Sequence, residues 1–218
     1  MIRAGAAPGR ARAGIVLLHG RGSQGSEILR LLDHLALPDV AAVAPTAPGR
    51  SWWPVSFLSP IAQMQGPLEA ALASVAEGVA ALEAEGLARG RIWLGGFSQG
   101  AVLALESFAR RGEGLAGAFG LSGGLIGTAD AGTTPDGDLY GYGAKAFDYA
   151  GRRDGARVHV SVHERDPHIP LRRARDTADV LRAMGAAVSL RVFPGEGHAV
   201  MPEDIAAMRG WLNGQAGG

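Results

Sequence analysis

A chain of 218 residues, 47% of them hydrophobic, is long enough for one α/β domain with a substantial core and too apolar to stay disordered. Its 21 basic side chains balance its 21 acidic ones, which leaves no basic footprint for nucleic acid or an anionic membrane surface. Cysteine is absent, so disulfides, thiolate metal sites and a cysteine nucleophile drop out together, and with Lys145 the only lysine a Schiff base is not expected. Met1 to Arg12 holds three arginines without an apolar h-region. No later run approaches the roughly 18 apolar residues of a spanning helix. A cytoplasmic protein without stable membrane insertion is the expectation.

The elements read as follows in chain order. Residues 1–13 form a short N-terminal segment without a pattern. Gly14 to Leu18 is a continuous apolar run of the kind a buried parallel strand shows, and it ends in the Gly-rich loop His19-Gly-Arg-Gly-Ser-Gln24. Ser26 to Leu35 has Ile28, Leu31, Leu32 and Leu35 on one helical face, and Val40 to Ala44 is a strand stopped by Pro45. Ala47 to Gly66 is an irregular loop carrying Trp52, Trp53 and Phe57. Pro67 opens an amphipathic helix in which Leu68, Leu72, Val75, Val79 and Leu82 recur at spacings of four and three. Further strands are expected at Ile92 to Leu94, Leu115 to Leu121, Arg157 to Val162 and Ala187 to Phe193, with helices after Ser98, from Leu171 to Met184 and from Pro202 to Leu212. The 127–155 segment, rich in Gly, Asp and Tyr, breaks the pattern and is too long for a bare loop, so it is expected to pack as a flap or insertion. Strands alternate with helices throughout. That implies a single α/β domain over 1–218, with a mostly parallel sheet and helices on both faces.

The chemistry gathers around Gly96-Phe-Ser98-Gln-Gly100, a G-x-S-x-G pattern set between a strand and a helix. A serine on so sharp a turn sits on a strained backbone that pushes its hydroxyl above the sheet, and side chains at 96 or 100 would collide with neighbouring elements. A hydroxyl becomes a useful nucleophile when a neutral base takes its proton and a third group fixes that base's tautomer. Asp166 follows one predicted strand and His198 follows another, in the chain order Ser, Asp, His and at the carboxyl edge of the sheet. Among the six histidines, His198 alone combines a Gly-x-Gly approach with a late position. The competing reading of Asp166 is an Asx turn before Pro167. A metal site from His163, Asp166 and His168 lacks a further ligand set. The amides of Gln99 and Arg21 are placed, by position, to hold an oxyanion.

Leu18-His-Gly-Arg-Gly22, Gly96-Phe-Ser-Gln-Gly-Ala101, Asp166-Pro-His-Ile-Pro170 and Gly195-Glu-Gly-His198 together resemble the phospholipase/carboxylesterase family of small α/β-hydrolases, which includes the acyl-protein thioesterases. The resemblance runs from about Ile15 to Leu212. It implies an α/β-hydrolase fold with no large cap domain and a cofactor-free serine hydrolase cleaving carboxylic esters through an acyl-enzyme. It also implies Ser98, Asp166 and His198 as the triad, the Arg21 and Gln99 N–H groups as the oxyanion hole, and no metal. Ala47 to Pro54 is similar to the family's substrate-side loop, which implies that Trp52, Trp53 and Phe57 line an acyl pocket; packing in the core is the competing reading for the tryptophans. The short N-terminal segment, the basic loop after His19-Gly20 and the long 127–155 segment depart from the thioesterase branch. They favour a small carboxylesterase for short to medium acyl chains over a thioesterase or lysophospholipase. From another class, a non-catalytic hydrolase-fold binding protein is the alternative. The expected partner is a small-molecule ester, with no nucleic acid and with a possible homodimer.

Overall fold

The computed structural model describes residues 1–214. In chain order its elements are β1 (Ile2–Gly5), β2 (Ala13–Leu18), α1 (Gly25–Ile28), α2 (Leu31–Leu35), β3 (Val40–Ala44), α3 (Gln65–Ala84), β4 (Ile92–Phe97), α4 (Gln99–Arg111) and β5 (Gly117–Leu121). They continue with β6 (Ala129–Asp130), β7 (Lys145–Ala146), β8 (Arg157–Arg165), α5 (Leu171–Ala183), β9 (Ala187–Glu196) and α6 (Pro202–Leu212). Among the described residues one sheet of seven strands runs in the order β1-β3-β2-β4-β5-β8-β9. Every pairing in it is parallel except β1 with β3.

Alternation along the strands divides the core. In β2, Val16 and Leu18 join the cluster beneath α3, α4 and α5, whereas Ile15 and Leu17 join the cluster beneath α1, α2 and α6. All four are fully buried, and each contributes about 1.5–3 kcal/mol of burial energy. Two buried faces explain why these strands read as unbroken apolar runs. In α3 the residues turned inward, Leu68, Ala71, Leu72, Val75, Val79 and Leu82, follow the helical period. Pro67 sits in its first turn, where a missing N–H removes no helical bond. The sheet, its flanking helices and the lack of a large cap among the described residues make this an α/β-hydrolase fold.

Three details differ from the sequence pattern. Ile2–Gly5 is an edge strand; its side chains are largely exposed, so backbone pairing with β3 forms it without any apolar periodicity. The expected 26–35 helix is two short ones, α1 and α2, because the bonds Arg30 N–H to Glu27 and Asp33 N–H to Arg30 tighten the chain to an i→i+3 turn between them. Strand β8 runs on to Arg165, three residues past Val162, with a register shift against β9 between His163 and Arg165. That shift aims the next residue, Asp166, at the neighbouring loop. The 127–155 segment contains the β6–β7 hairpin and a single 3₁₀ turn at Gly137–Leu139. Its Lys145 reaches across to the Ser59 carbonyl (2.7 Å) and to Asp130.

Candidate active site

Strand β4 delivers Ser98 at its carboxyl end, where φ is 57° and ψ is −123°. This left-handed conformation is costly for a residue with a side chain and persists only where its surroundings enforce it. The two glycines beside it are required by contact. A Cβ at Gly96 would lie 2.3 Å from the Gly100 carbonyl oxygen, and one at Gly100 would lie 2.0 Å from that of Leu18. The turn can therefore press α4 against both β4 and β2.

Two other strand ends meet Ser98. His198, four residues before α6, places Nε2 2.8 Å from Ser98 Oγ. Its Nδ1 lies 2.8 Å from Asp166 Oδ2 and 3.0 Å from Oδ1. Because Nδ1 faces a carboxylate, it carries the proton, and Nε2 is left to accept from the serine. Asp166 is buried and its Oδ1 also accepts the amides of His168 (2.9 Å) and Ile169 (3.0 Å). The Asx turn and the histidine partner, two readings of one carboxylate in the sequence, coexist. The His168 ring packs edge-on against His198 at 4.8 Å between centroids, and Phe97 packs on it at 4.9 Å.

Gly20 and Arg21 close the opposite side. The Gly20 Cβ position is 3.4 Å from Ser98 Cβ, so the loop after β2 lies directly against the serine. Among the described residues the Arg21 and Gln99 amides have no protein acceptor. His19 beneath them is buried; its Nε2 accepts the Ala47 amide (3.0 Å), so its Nδ1 donates to the Gly20 carbonyl (2.8 Å). Burial away from water holds the His19 pKa below the usual histidine range.

A cavity of about 920 Å³ opens over Ser98 and His198. Trp53 and Phe57 line it with Val55, Leu58 and Val102, while Arg21, Glu27 and Arg30 supply charge along the wall. Trp52 does not line it. Its indole lies behind the wall, tilted on His19 at 4.9 Å and donating from Nε1 to the His19 carbonyl (2.9 Å). Both tryptophans are buried, Trp53 as wall and Trp52 as brace. Tyr140 and Tyr142 of the 127–155 segment also border the cavity, and the Tyr140 hydroxyl donates to the Asp166 main-chain carbonyl. The sequence offered no signal for that contact beyond an aromatic-rich segment of unusual length. Among the described residues no group of histidine and carboxylate side chains could hold a metal ion, and no helix is long and apolar enough to cross a membrane.

The family model described as phospholipase/carboxylesterase matches residues 4–135, more than half of the chain. The chain belongs to this family. A crystal structure of a phospholipase/carboxylesterase from Dyadobacter fermentans has a TM-score of 0.85 at 35% identity, covering 97% of this chain and 95% of that one. Acyl-protein thioesterase 1 of Gibberella zeae is 30% identical over 134 residues, 60% of this chain. That match spans only about half, 50%, of the thioesterase. The crystal structure of esterase PE8 has a TM-score of 0.73 at 24% identity over 99% of this chain and 98% of that one, a likeness of fold alone.

Proposed function

We propose that the protein hydrolyses carboxylic esters through an acyl-enzyme on Ser98, with His198 as proton carrier, Asp166 as its orienter and the Arg21 and Gln99 amides as oxyanion hole. The observation that carries this is the unbroken hydrogen-bonded chain from Ser98 Oγ through His198 to Asp166: the serine hydroxyl donates to Nε2 and Nδ1–H donates to the carboxylate, each at 2.8 Å.

In acylation Ser98 Oγ attacks the ester carbonyl carbon as its proton passes to His198 Nε2. The carbonyl π electrons move onto oxygen, which the two amides receive. When the tetrahedral intermediate collapses, the C–O bond to the alcohol breaks and Nε2–H protonates the departing oxygen. Water then repeats the sequence on the acyl-enzyme, releasing the acid and restoring the serine proton. Asp166 stabilises the imidazolium formed in each half, and its two amide donors keep it from rotating away. The strain at Ser98 keeps Oγ raised, so little reorganisation is needed at the moment of attack.

Support for short to medium acyl groups comes from the mixed wall. The charged side chains Arg21, Glu27 and Arg30 share the lining with Trp53, Phe57 and Leu58, and a long acyl chain that filled the cavity would take water from them. The thioesterase reading is favoured by the name of the Gibberella zeae relative. Hydrolysis of p-nitrophenyl esters from acetate to palmitate, beside an acyl-thioester series and Ser98→Ala, tests both. We expect a peak at short to medium esters and a loss of about 10⁴-fold or more in the variant. A peak at long thioesters moves the assignment to the thioesterase branch, and a variant as active as wild type removes Ser98 from the chemistry.

A further inference from the structure

The two amides proposed to hold the oxyanion come from the loop after β2 and the first residue of α4, and their spacing has to be set by something that touches both. The 47–55 segment does. Arg21 grips it from the β2 side: its guanidinium donates to Ser51 Oγ (3.1 Å), the Pro54 carbonyl (3.1 Å) and the Val55 carbonyl (2.7 Å). Gly22 N–H adds a bond to the Arg50 carbonyl at 2.8 Å, and Trp52 Nε1 reaches the His19 carbonyl. Gln99 grips the same segment from the elbow side. Its Oε1 accepts the Trp52 amide (3.0 Å) and its Nε2 donates to the Trp53 carbonyl (2.9 Å). Ser51 Oγ closes the set by donating to the Trp53 carbonyl at 2.7 Å.

We propose that the Gln99 carboxamide is a positioning residue: through the Ser51–Val55 strap it locks its own amide and that of Arg21 at the spacing the oxyanion needs. The side chain's chemistry fits the task. A carboxamide offers one acceptor and one donor in a plane, which matches the N–H of Trp52 and the C=O of Trp53 one residue apart. A carboxylate supplies only the acceptor, and a thioether neither. Gln99 is nearly buried, so a lost partner would leave a backbone group of the strap without water to replace it. The strap also includes Trp53, which lines the cavity, so an acyl group packed on that indole touches the element that sets the hole.

This inference rests on the reaction proposed above, and its test separates the two. The variants are Gln99→Met, Gln99→Glu and, away from the elbow, Ser51→Ala. Each is assayed for kcat and KM on the best p-nitrophenyl ester and for the Ki of a trifluoromethyl ketone of the same chain length. Ser98 Oγ adds to that ketone carbon, its proton goes to His198, and the former carbonyl electrons sit on an oxygen in the hole. For Gln99→Met we expect kcat to fall about 10- to 100-fold with KM within about twofold, and the ketone Ki to rise by the same factor as the loss of kcat/KM. Gln99→Glu should fall between Met and wild type, and the acid limb of the pH–rate profile should stay in place. A melting-temperature loss without this parallel between kcat/KM and Ki overturns the proposal in favour of a purely structural role. Unchanged kinetics in Gln99→Met also overturn it. Should Gln99→Met fail to fold, a Ser51→Ala variant with wild-type kcat and Ki sinks the strap by itself. A wild-type protein inert to ester and ketone alike overturns the reaction instead.

Discussion

Two irregular segments lie over the carboxyl edge of the sheet, and they are built in opposite ways. The Ser51–Val55 stretch is held on both sides by side chains from the loop after β2 and from the first residue of α4, and its two indoles are buried. The 127–155 segment is anchored at its roots, by Lys145 on Ser59 and by Tyr149 on the buried Glu106 (2.8 Å), but its tip around Tyr140 is exposed. One rests against the proposed oxyanion side and the other against the acid loop. The lesson is that lack of regular structure says little about rigidity; what decides it is whether the backbone groups find fixed partners away from water. The first segment should behave as part of the core, and the second as a wall that opens without disturbing it.

The largest effect that could break this contrast is Trp52→Ala. The substitution removes a buried indole and its bond to the His19 carbonyl, and large-to-small changes of this kind cost about 3–5 kcal/mol. We expect a loss of that size in urea unfolding, together with a loss of esterase activity in the fraction that stays folded. Tyr140→Ala should cost under about 1 kcal/mol, because the residue is 45% exposed. Equal losses at the two sites would erase the distinction between core strap and surface wall.

How far the sequence itself carried this picture depends on which face of each element is apolar. Buried strands such as β2 declare themselves, since two covered faces leave an unbroken run like Ile15 to Leu18. The elbow is equally legible, because the glycines at 96 and 100 are forced by contacts of 2.3 and 2.0 Å to neighbouring carbonyls. β1 is not, since hydrogen bonding to β3 alone makes it a strand. The extension of β8 past Val162 is hidden by His163-Glu-Arg, whose polarity reflects the sheet's end rather than a loop. The split of Trp52 from Trp53 is likewise invisible: composition and spacing are the same for a wall and for a brace, and only the partner of Nε1 tells them apart. Gln99 is a variable position of G-x-S-x-G, so the motif gives no reason to look at its side chain.

His19 sharpens the strap side through pH. Its Nε2 accepts the Ala47 amide, so protonation must break that bond, and burial holds its pKa below the value of 6.5 that the unfolded chain has. Glu27 and Arg50, the charged groups acting on it, oppose each other. Between the two pKa values the unfolded state binds a proton that the folded state does not. Stability is therefore complete above the unfolded value and falls as pH drops below it. The bond at stake is an ordinary neutral one, worth about 0.5–1.5 kcal/mol. We expect the wild-type melting temperature to decline from pH 7.5 to 5.5, and His19→Gln, whose amide oxygen can accept from Ala47, to show a shallower decline from a lower start. Parallel curves would place the acid sensitivity elsewhere.

The smallest effect is expected from Tyr140→Phe, which removes only the hydroxyl that reaches the Asp166 and Ile169 carbonyls. Asp166 keeps its carboxylate partners in this variant, two amides and His198, so the acid's orientation does not depend on the tyrosine. What is lost is the fastening of the wall to the acid loop. A hydroxyl bond at a part-exposed site contributes at the low end of about 0.5–1.5 kcal/mol, which corresponds to a two- to threefold change in kcat/KM. That change should appear in KM rather than kcat, because the loosened wall contacts substrate while the Ser98–His198–Asp166 chain stays intact. A tenfold fall in kcat would mean instead that the 127–155 segment holds the acid loop as firmly as the strap holds its own side, and the two regions would then be alike in function despite their difference in burial.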